Sequence, residues 1–244
     1  DSWGLLFSEL LTSQIHATVL PIDGERSLET ELFRFLPDEV LLQARSGMGK
    51  FNDFFKQRGF FTTQHKALLD EENLESVQNW CQQQFSESSR AQLDKNPSLT
   101  NALALWHSYL EKNQNNALNQ FKEINFYSPD QFLLLDGATQ KNLDIVTNGF
   151  DGSKKNTLIS CIDQAVTPMG SRMIRRWLLR PLVDINAITQ RQQAVSVFVE
   201  NQQLLIRFKK VLEQFGDLQR IVGRIALQKS GLKDYLQLGQ IAGL

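Results

Sequence analysis

Residues 157–199 read TLISCIDQAVTPMGSRMIRRWLLRPLVDINAITQRQQAVSVFV, and their punctuation decides how the C-terminal half of the chain folds. Thr167 followed by Pro168 is an N-cap residue with proline at the first helical position, where the missing N–H is no loss and the fixed φ suits a helix. From there Met169, Met173, Ile174, Trp177 and Leu178 recur at helical spacing, which predicts a stripe facing a core. Ser171, Arg172, Arg175, Arg176 and Arg180 take the other side. Pro181 stops the helix, and Asp184 is placed to cap a second one that carries Ile185, Ile188, Val195 and Val199 inward. Glycine inside a helix costs up to about 1 kcal/mol relative to alanine, so Gly170 in the first turn predicts close contact with a neighbour.

Downstream, Leu204, Leu205, Phe208, Val211, Leu212 and Phe215 outline a third helix stopped by Gly216. Asp217 can cap a fourth that buries Leu218, Ile221, Val222 and Ile225, and a last helix starts at Leu232. Upstream, Asn148 to Lys155 is a turn-rich loop of Asn, Asp and Gly. Leu99, Leu103, Trp106 and Leu110 predict a helix ending in the polar cluster Asn113 to Asn116. Ser86 to Asn96 lacks periodicity and reads as a loop. Glu72 to Phe85, with Leu74, Val77 and Cys81, and Gly49 to Gly59 read as helices. Nearer the start, Ser27 to Phe35 reads as a short helix and Glu39 to Gln43 as a buried strand. Trp3 to Leu20 reads as a hairpin broken at Thr12, Ser13 and Gln14, with Ile15, Ala17 and Val19 alternating against His16 and Thr18. Strands interleaved with helices argue for an α/β domain over residues 1–125, and the helical pattern from Leu158 onward for an all-α domain over 126–244.

Composition narrows the functional classes. Twenty-six basic residues against 27 acidic ones leave a net charge of −1, so any nucleic-acid contact must be local. Cys81 and Cys161 lie far apart, which argues against a disulfide framework or zinc site and for reduced thiols in a cytosolic setting. No apolar run reaches the roughly 20 residues that span a bilayer, and no signal peptide is visible, so a soluble intracellular protein is expected. A start at Asp1, with a strand opening at once, suggests a piece of a longer protein.

Ser46 to Lys50 imitates a phosphate loop, but the motif's first glycine position holds Ala44 and its Ser/Thr position holds Phe51. Glu9 on the first strand is a lone carboxylate, too little for a two-metal nuclease. His16, His65 and His107 have no partner at ligand or triad spacing. No catalytic or metal residue is therefore named. The one basic concentration is Arg172, Arg175, Arg176 and Arg180 with Lys154 and Lys155 nearby, either a DNA-phosphate contact or an interdomain face. Trp177, on the apolar stripe, is assigned to the core.

Several segments resemble the core, or lever, domain of the MutS family of DNA mismatch repair proteins. They are Leu135-Asp136-Gly137-Ala138-Thr139-Gln140-Lys141-Asn142-Leu143, Thr157-Leu158, Thr167-Pro168-Met169-Gly170-Ser171-Arg172, Trp177-Leu178, Pro181-Leu182 and Arg191-Gln192-Gln193. Phe215-Gly216-Asp217-Leu218-Gln219-Arg220 with Arg224-Ile225-Ala226-Leu227 is similar to a further family helix. More weakly, Gly4 to Thr12 and Pro37 to Leu42 resemble the family's connector domain, with Glu9 and Thr12-Ser13 where the family usually has Asp and a Ser/Thr-Gly turn.

The resemblance implies an RNase H-like connector followed by a helical lever that stops before the clamp and ATPase. It implies no enzyme activity in this stretch, ATP and Mg bound only in the full-length parent, and a cytoplasmic, nucleoid-associated location in a bacterium. The partners it implies are MutL, other MutS domains, a second MutS subunit and double-stranded DNA, with no membrane. A MutS paralogue acting in recombination, an RNase H-like nuclease and a helical adaptor are the alternative readings.

Overall fold

A computed structural model describes residues 2–22, 25–44, 49–66 and 71–243, and the chain divides into two compact units. One comprises residues 1–25, 35–128 and 226–228; the other comprises 26–34, 129–225 and 229–244. The first is a small α/β unit and the second is helical. The glycine-rich stretch at Ser46 and the expected packing of Leu74 lie outside the described residues and side chains.

In the α/β unit, β1 (Ser2–Glu9) and β2 (Gln14–Pro21) form the expected antiparallel hairpin, in register from Ser2 opposite Pro21 to Glu9 opposite Gln14. Its turn places Ser13 at φ +56, and Thr12 Oγ1 donates to Glu9 Oε2 at 2.9 Å, so the side chains that depart from the family's usual turn make a closed turn of their own. After α1 (Glu25–Phe35) come β3 (Val40–Gln43), α2 (Gly49–Gln57) and β4 (Thr62–His65). β3 and β4 pair in parallel as a strand–helix–strand unit, half-buried rather than buried as expected. Then follow α3 (Glu71–Gln84), α4 (Glu87–Asp94), α5 (Pro97–Leu118) and β5 (Ile124–Phe126), which adds in parallel to the open side of β2.

The core of this unit sits between β2 and the helices. Ile15 and Ala17 are buried from the strand, Leu99, Leu103, Trp106 and Leu110 from α5, and Val77 and Cys81 from α3. The strand β1 crosses the start of α5 so closely that a Cβ at Gly4 would lie 2.2 Å from the Ser98 carbonyl oxygen. Only glycine fits there.

One expectation fails here and another is met only in part. Ser86 to Asn96 is largely the helix α4, because Ser86 Oγ accepts from Ser89 N–H at 3.3 Å and Leu93 anchors it in the core. One buried residue and a cap suffice for eight residues, and neither registers as periodicity. The helix α5 breaks where the sequence predicts an end: Gln114, inside the polar cluster, leaves helical geometry (φ −152, ψ 58), and a short further helical stretch returns Ala117 and Leu118 to the core.

The helical unit begins, after a single turn at Pro129–Gln131, with α6 (Gly137–Asn142) and continues with α7 (Leu158–Ile162), α8 (Pro168–Leu179) and α9 (Ile185–Glu200). It ends with α10 (Gln202–Leu212), α11 (Leu218–Ala226) and α12 (Leu232–Ala242). The predicted caps form: Thr167 Oγ1 accepts from Gly170 N–H at 3.1 Å, and Asp184 Oδ1 from Ala187 N–H at 2.7 Å. The close neighbour of Gly170 is the chain just before it, since a Cβ there would meet the Ala165 methyl at 3.0 Å. Residues 26–34 of α1 belong to this unit. There Arg34 lies over the Phe132 ring, and a buried ion pair joins Glu31 to Arg34. The Phe33 ring leaves no room for a side chain at Gly137.

Several apolar positions expected inside are exposed. Ile185, Val195 and Val199 of α9, Phe208, Val211 and Leu212 of α10 and Val222 of α11 all face outward, whereas Ile221 is 1% exposed. Helical periodicity marks a face that wants cover; it does not say that these 244 residues provide it.

Candidate functional site

Arg172, Arg175 and Arg176 lie on α8 and Arg180 follows as its C-cap, and the four do not share one environment. Arg172 Nη1 donates to Asp217 Oδ2 at 2.6 Å, and Nη2 to Asp217 Oδ1 at 2.7 Å and Gln219 Oε1 at 2.9 Å. This is the planar fork that only arginine offers a carboxylate. Asp217 also accepts from Arg220 N–H at 3.4 Å as the cap of α11, with Arg220 Nε 3.7 Å away. The Arg172 hydrogen bond, followed by the α11 backbone and the two guanidinium charges, holds this carboxyl below the usual carboxylate range. One acidic side chain therefore ties the middle of α8 to the start of α11.

Arg175, Arg176 and Arg180 are half-buried, and burial lowers the pKa of Arg175. The apolar stripe is split. Leu179 is buried, Met169, Ile174 and Leu178 are half-buried, and Met173 and Trp177 are exposed, Trp177 at 43%. The core assignment of Trp177 is thus corrected. The Arg172–Asp217 pair draws the arginine side of α8 inward, and Arg191 of α9 stacks over the Trp177 ring at 4.1 Å. Beside that stack an apolar groove of about 410 Å³ runs between α8 and α9, lined by Trp177, Arg191, Val195, Ser196 and Val199.

A second ion pair was not anticipated from the sequence. Arg224 near the end of α11 donates to both Asp234 oxygens, the Nε contact measuring 3.2 Å, and Asp234 also accepts from Gly231 N–H at 3.0 Å. Its signal was an acid in the first turn of a helix that follows an arginine across a short turn. The expected arginine face thus belongs to a wider set of charged ties among α8, α11 and α12.

The remaining candidates stay apart. Glu9 is engaged by Thr12, His16 packs with Phe35 and Tyr127, His65 Nε2 lies 3.1 Å from Ser108 Oγ, and His107 is buried against Trp80. Among the described residues no group of three or more His, Cys, Asp or Glu is placed to hold a metal ion. Both cysteines are free; Cys81 is buried, with its pKa pushed up to about 12, and Cys161 is exposed. Among the described residues no helix is long and apolar enough to cross a membrane.

Comparison with known proteins gives this arrangement a context. The sequence profile of MutS domain III matches residues 138–243, which take in α6 to α12 with both ion pairs. The DNA mismatch repair protein MutS of Desulforamulus reducens is 31% identical across 98% of this chain, and that of Desulfitobacterium hafniense 30% identical across 100%. The MutS of Caldanaerobacter subterraneus subsp. tengcongensis is 26% identical across 98%. In each case the matched stretch is 27% of the relative, so the chain spans about a quarter of the length of these proteins. The helical unit carries the MutS domain III pattern, and the α/β unit lies within the stretch matched to mismatch repair proteins. The chain belongs to the MutS family.

Proposed function

We propose that this segment works mechanically within a longer MutS protein, as a connector followed by a lever. It carries nucleotide-dependent changes between an ATPase domain, where ATP and Mg are bound, and the parts that hold mismatched double-stranded DNA. It performs no chemistry itself. Its α/β part offers a docking surface for MutL, and its partners are other MutS domains and a second MutS subunit. Motion passes between distant sites when packed helices move as rigid bodies. The observation that carries this reading is the two-pronged hold of Arg172 on Asp217, residues 45 apart in sequence, which makes α8 and α11 move together. With Arg172 engaged in this way, the face it shares with Arg175, Arg176 and Arg180 is read as an interdomain and interhelix surface rather than a phosphate track.

The test uses a full-length MutS carrying this segment. Arg172→Ala should leave mismatch binding without nucleotide and ATP hydrolysis near their starting values, and slow ATP-triggered release from mismatched DNA several-fold. Arg172→Lys, which keeps the charge but loses the fork, should fall between. Unchanged release in a variant whose melting curve shows the pair has been lost would refute the lever.

A further inference from the structure

Residues 144–157 form a closed loop rather than a slack connection. Leu158 N–H donates to the Asp144 carbonyl at 2.8 Å and Ile159 N–H to the Ile145 carbonyl at 3.0 Å, which brings the two ends together. Inside, Gly149 N–H donates to Asp144 Oδ1 at 2.6 Å, Phe150 N–H to Asn148 Oδ1 at 2.9 Å, and Ser153 N–H to Asp151 Oδ1 at 2.8 Å. The Asn148 N–H and carbonyl pair with Ser153 and Gly152. Such a self-bonded loop holds its tip in place before any partner arrives. At that tip Phe150 is 99% exposed.

The surroundings of Phe150 are ordered and mixed in character. Leu143 at one end of the loop, and Leu158 and Ile162 one turn apart on α7, are exposed apolar side chains at its base. Lys141, Lys154 and Lys155 are exposed around it, with Asp151 beside the phenylalanine. A pre-positioned aromatic anchor with apolar support and a charged rim is what a binding hot spot needs, because little ordering remains to be done on docking.

We propose that this loop is an intramolecular dock, in which Phe150 enters an apolar pocket edged by carboxylates on a part of the MutS polypeptide outside these 244 residues. Lys141, Lys154 and Lys155 against Asp144 and Asp151 leave a net positive rim, which complements carboxylates. Exposed Phe150, Leu143, Leu158 and Ile162 need an apolar pocket, which a phosphate backbone does not offer, and so favour protein over DNA. Four apolar side chains cover on the order of a few hundred Å², well under the roughly 1,000 Å² that an independent complex needs. A tethered partner does not need that area, since linkage raises its effective concentration. The relatives, of which this stretch is 27%, have chain to spare for it.

The proposal rests on the family assignment, which supplies the longer polypeptide, and is independent of the lever. In the full-length protein, Phe150 is replaced by the photo-cross-linker benzoyl-phenylalanine and irradiated without nucleotide or DNA. The expected product runs at monomer mass, and its mapped peptide lies outside the segment and combines apolar residues with Asp or Glu. In parallel, alkylation of exposed Cys161, with Cys81 buried, should be several-fold faster in Phe150→Ser and in Lys154→Glu/Lys155→Glu than in the unaltered protein. No cross-link, a product at dimer mass, transfer to an added protein or duplex, or equal alkylation rates would overturn the dock while leaving the lever reading as it stands.

Discussion

His107 occupies an apolar site in the α/β unit, its ring 4.7 Å from that of Trp80. Burial lowers its pKa below the ordinary 6.5, and Glu111 opposes that shift without cancelling it. The folded state therefore prefers the neutral ring. Its contribution to stability is complete above the unfolded value near 6.5 and is lost as pH falls from there toward the lower folded value. The urea midpoint of the α/β unit should thus drop between pH 7.5 and 5.5, and His107→Leu should flatten that dependence. His65, whose pKa is also lowered by burial and by the Lys112 charge, keeps part of the slope, and a slope unchanged by the substitution would place the titrating group elsewhere. At this scale the sequence was legible where chemistry is local, as in the caps at Thr167, Asp184 and Asp217. It was silent on the buried Glu31–Arg34 pair, because a Glu three residues before an Arg reads the same on a solvated helix as in a core.

Among the elements, α10 and α11 separate what periodicity can and cannot decide. Both carry apolar residues at helical spacing, and the sequence places Leu212 and Ile221 alike in a core. The structure buries Ile221 to 1% exposure and leaves Leu212 at 41%. Ile221→Ala should therefore cost about 2–5 kcal/mol, the range for a buried aliphatic side chain. Leu212→Ala should cost under about 1 kcal/mol in this chain, since most of what it removes already touches water. Urea unfolding of the two variants side by side checks this, and equal losses would mean that α10 packs its Leu212 face after all. Helices were legible where caps and stripes coincide, as at α8 and α9. The helix α4 was not, because its order comes from Ser86 and one buried Leu93 rather than from a stripe.

For the whole chain, the apolar side chains left outward bear most directly on what this segment is. Ile185, Val195 and Val199 on α9, Val211 on α10, and Leu232 and Leu236 on α12 are all exposed. The sequence showed these faces clearly, and the error lay in assigning their cover to one another. Relatives nearly four times as long as the matched stretch offer other segments to do that work. The isolated 244-residue chain should accordingly bind a dye such as ANS strongly and associate with rising concentration in size-exclusion chromatography with light scattering, an effect that added sulfate strengthens. Replacing Ile185, Val195 and Val199 together with polar residues should cut dye binding and association while leaving the melting temperature within a few degrees, since exposed positions add little to the fold. A monodisperse chain that binds no dye would mean that α9, α10 and α12 close on themselves. A large fall in melting temperature in the triple variant would say the same, because only side chains already covered within the chain can cost that much when removed.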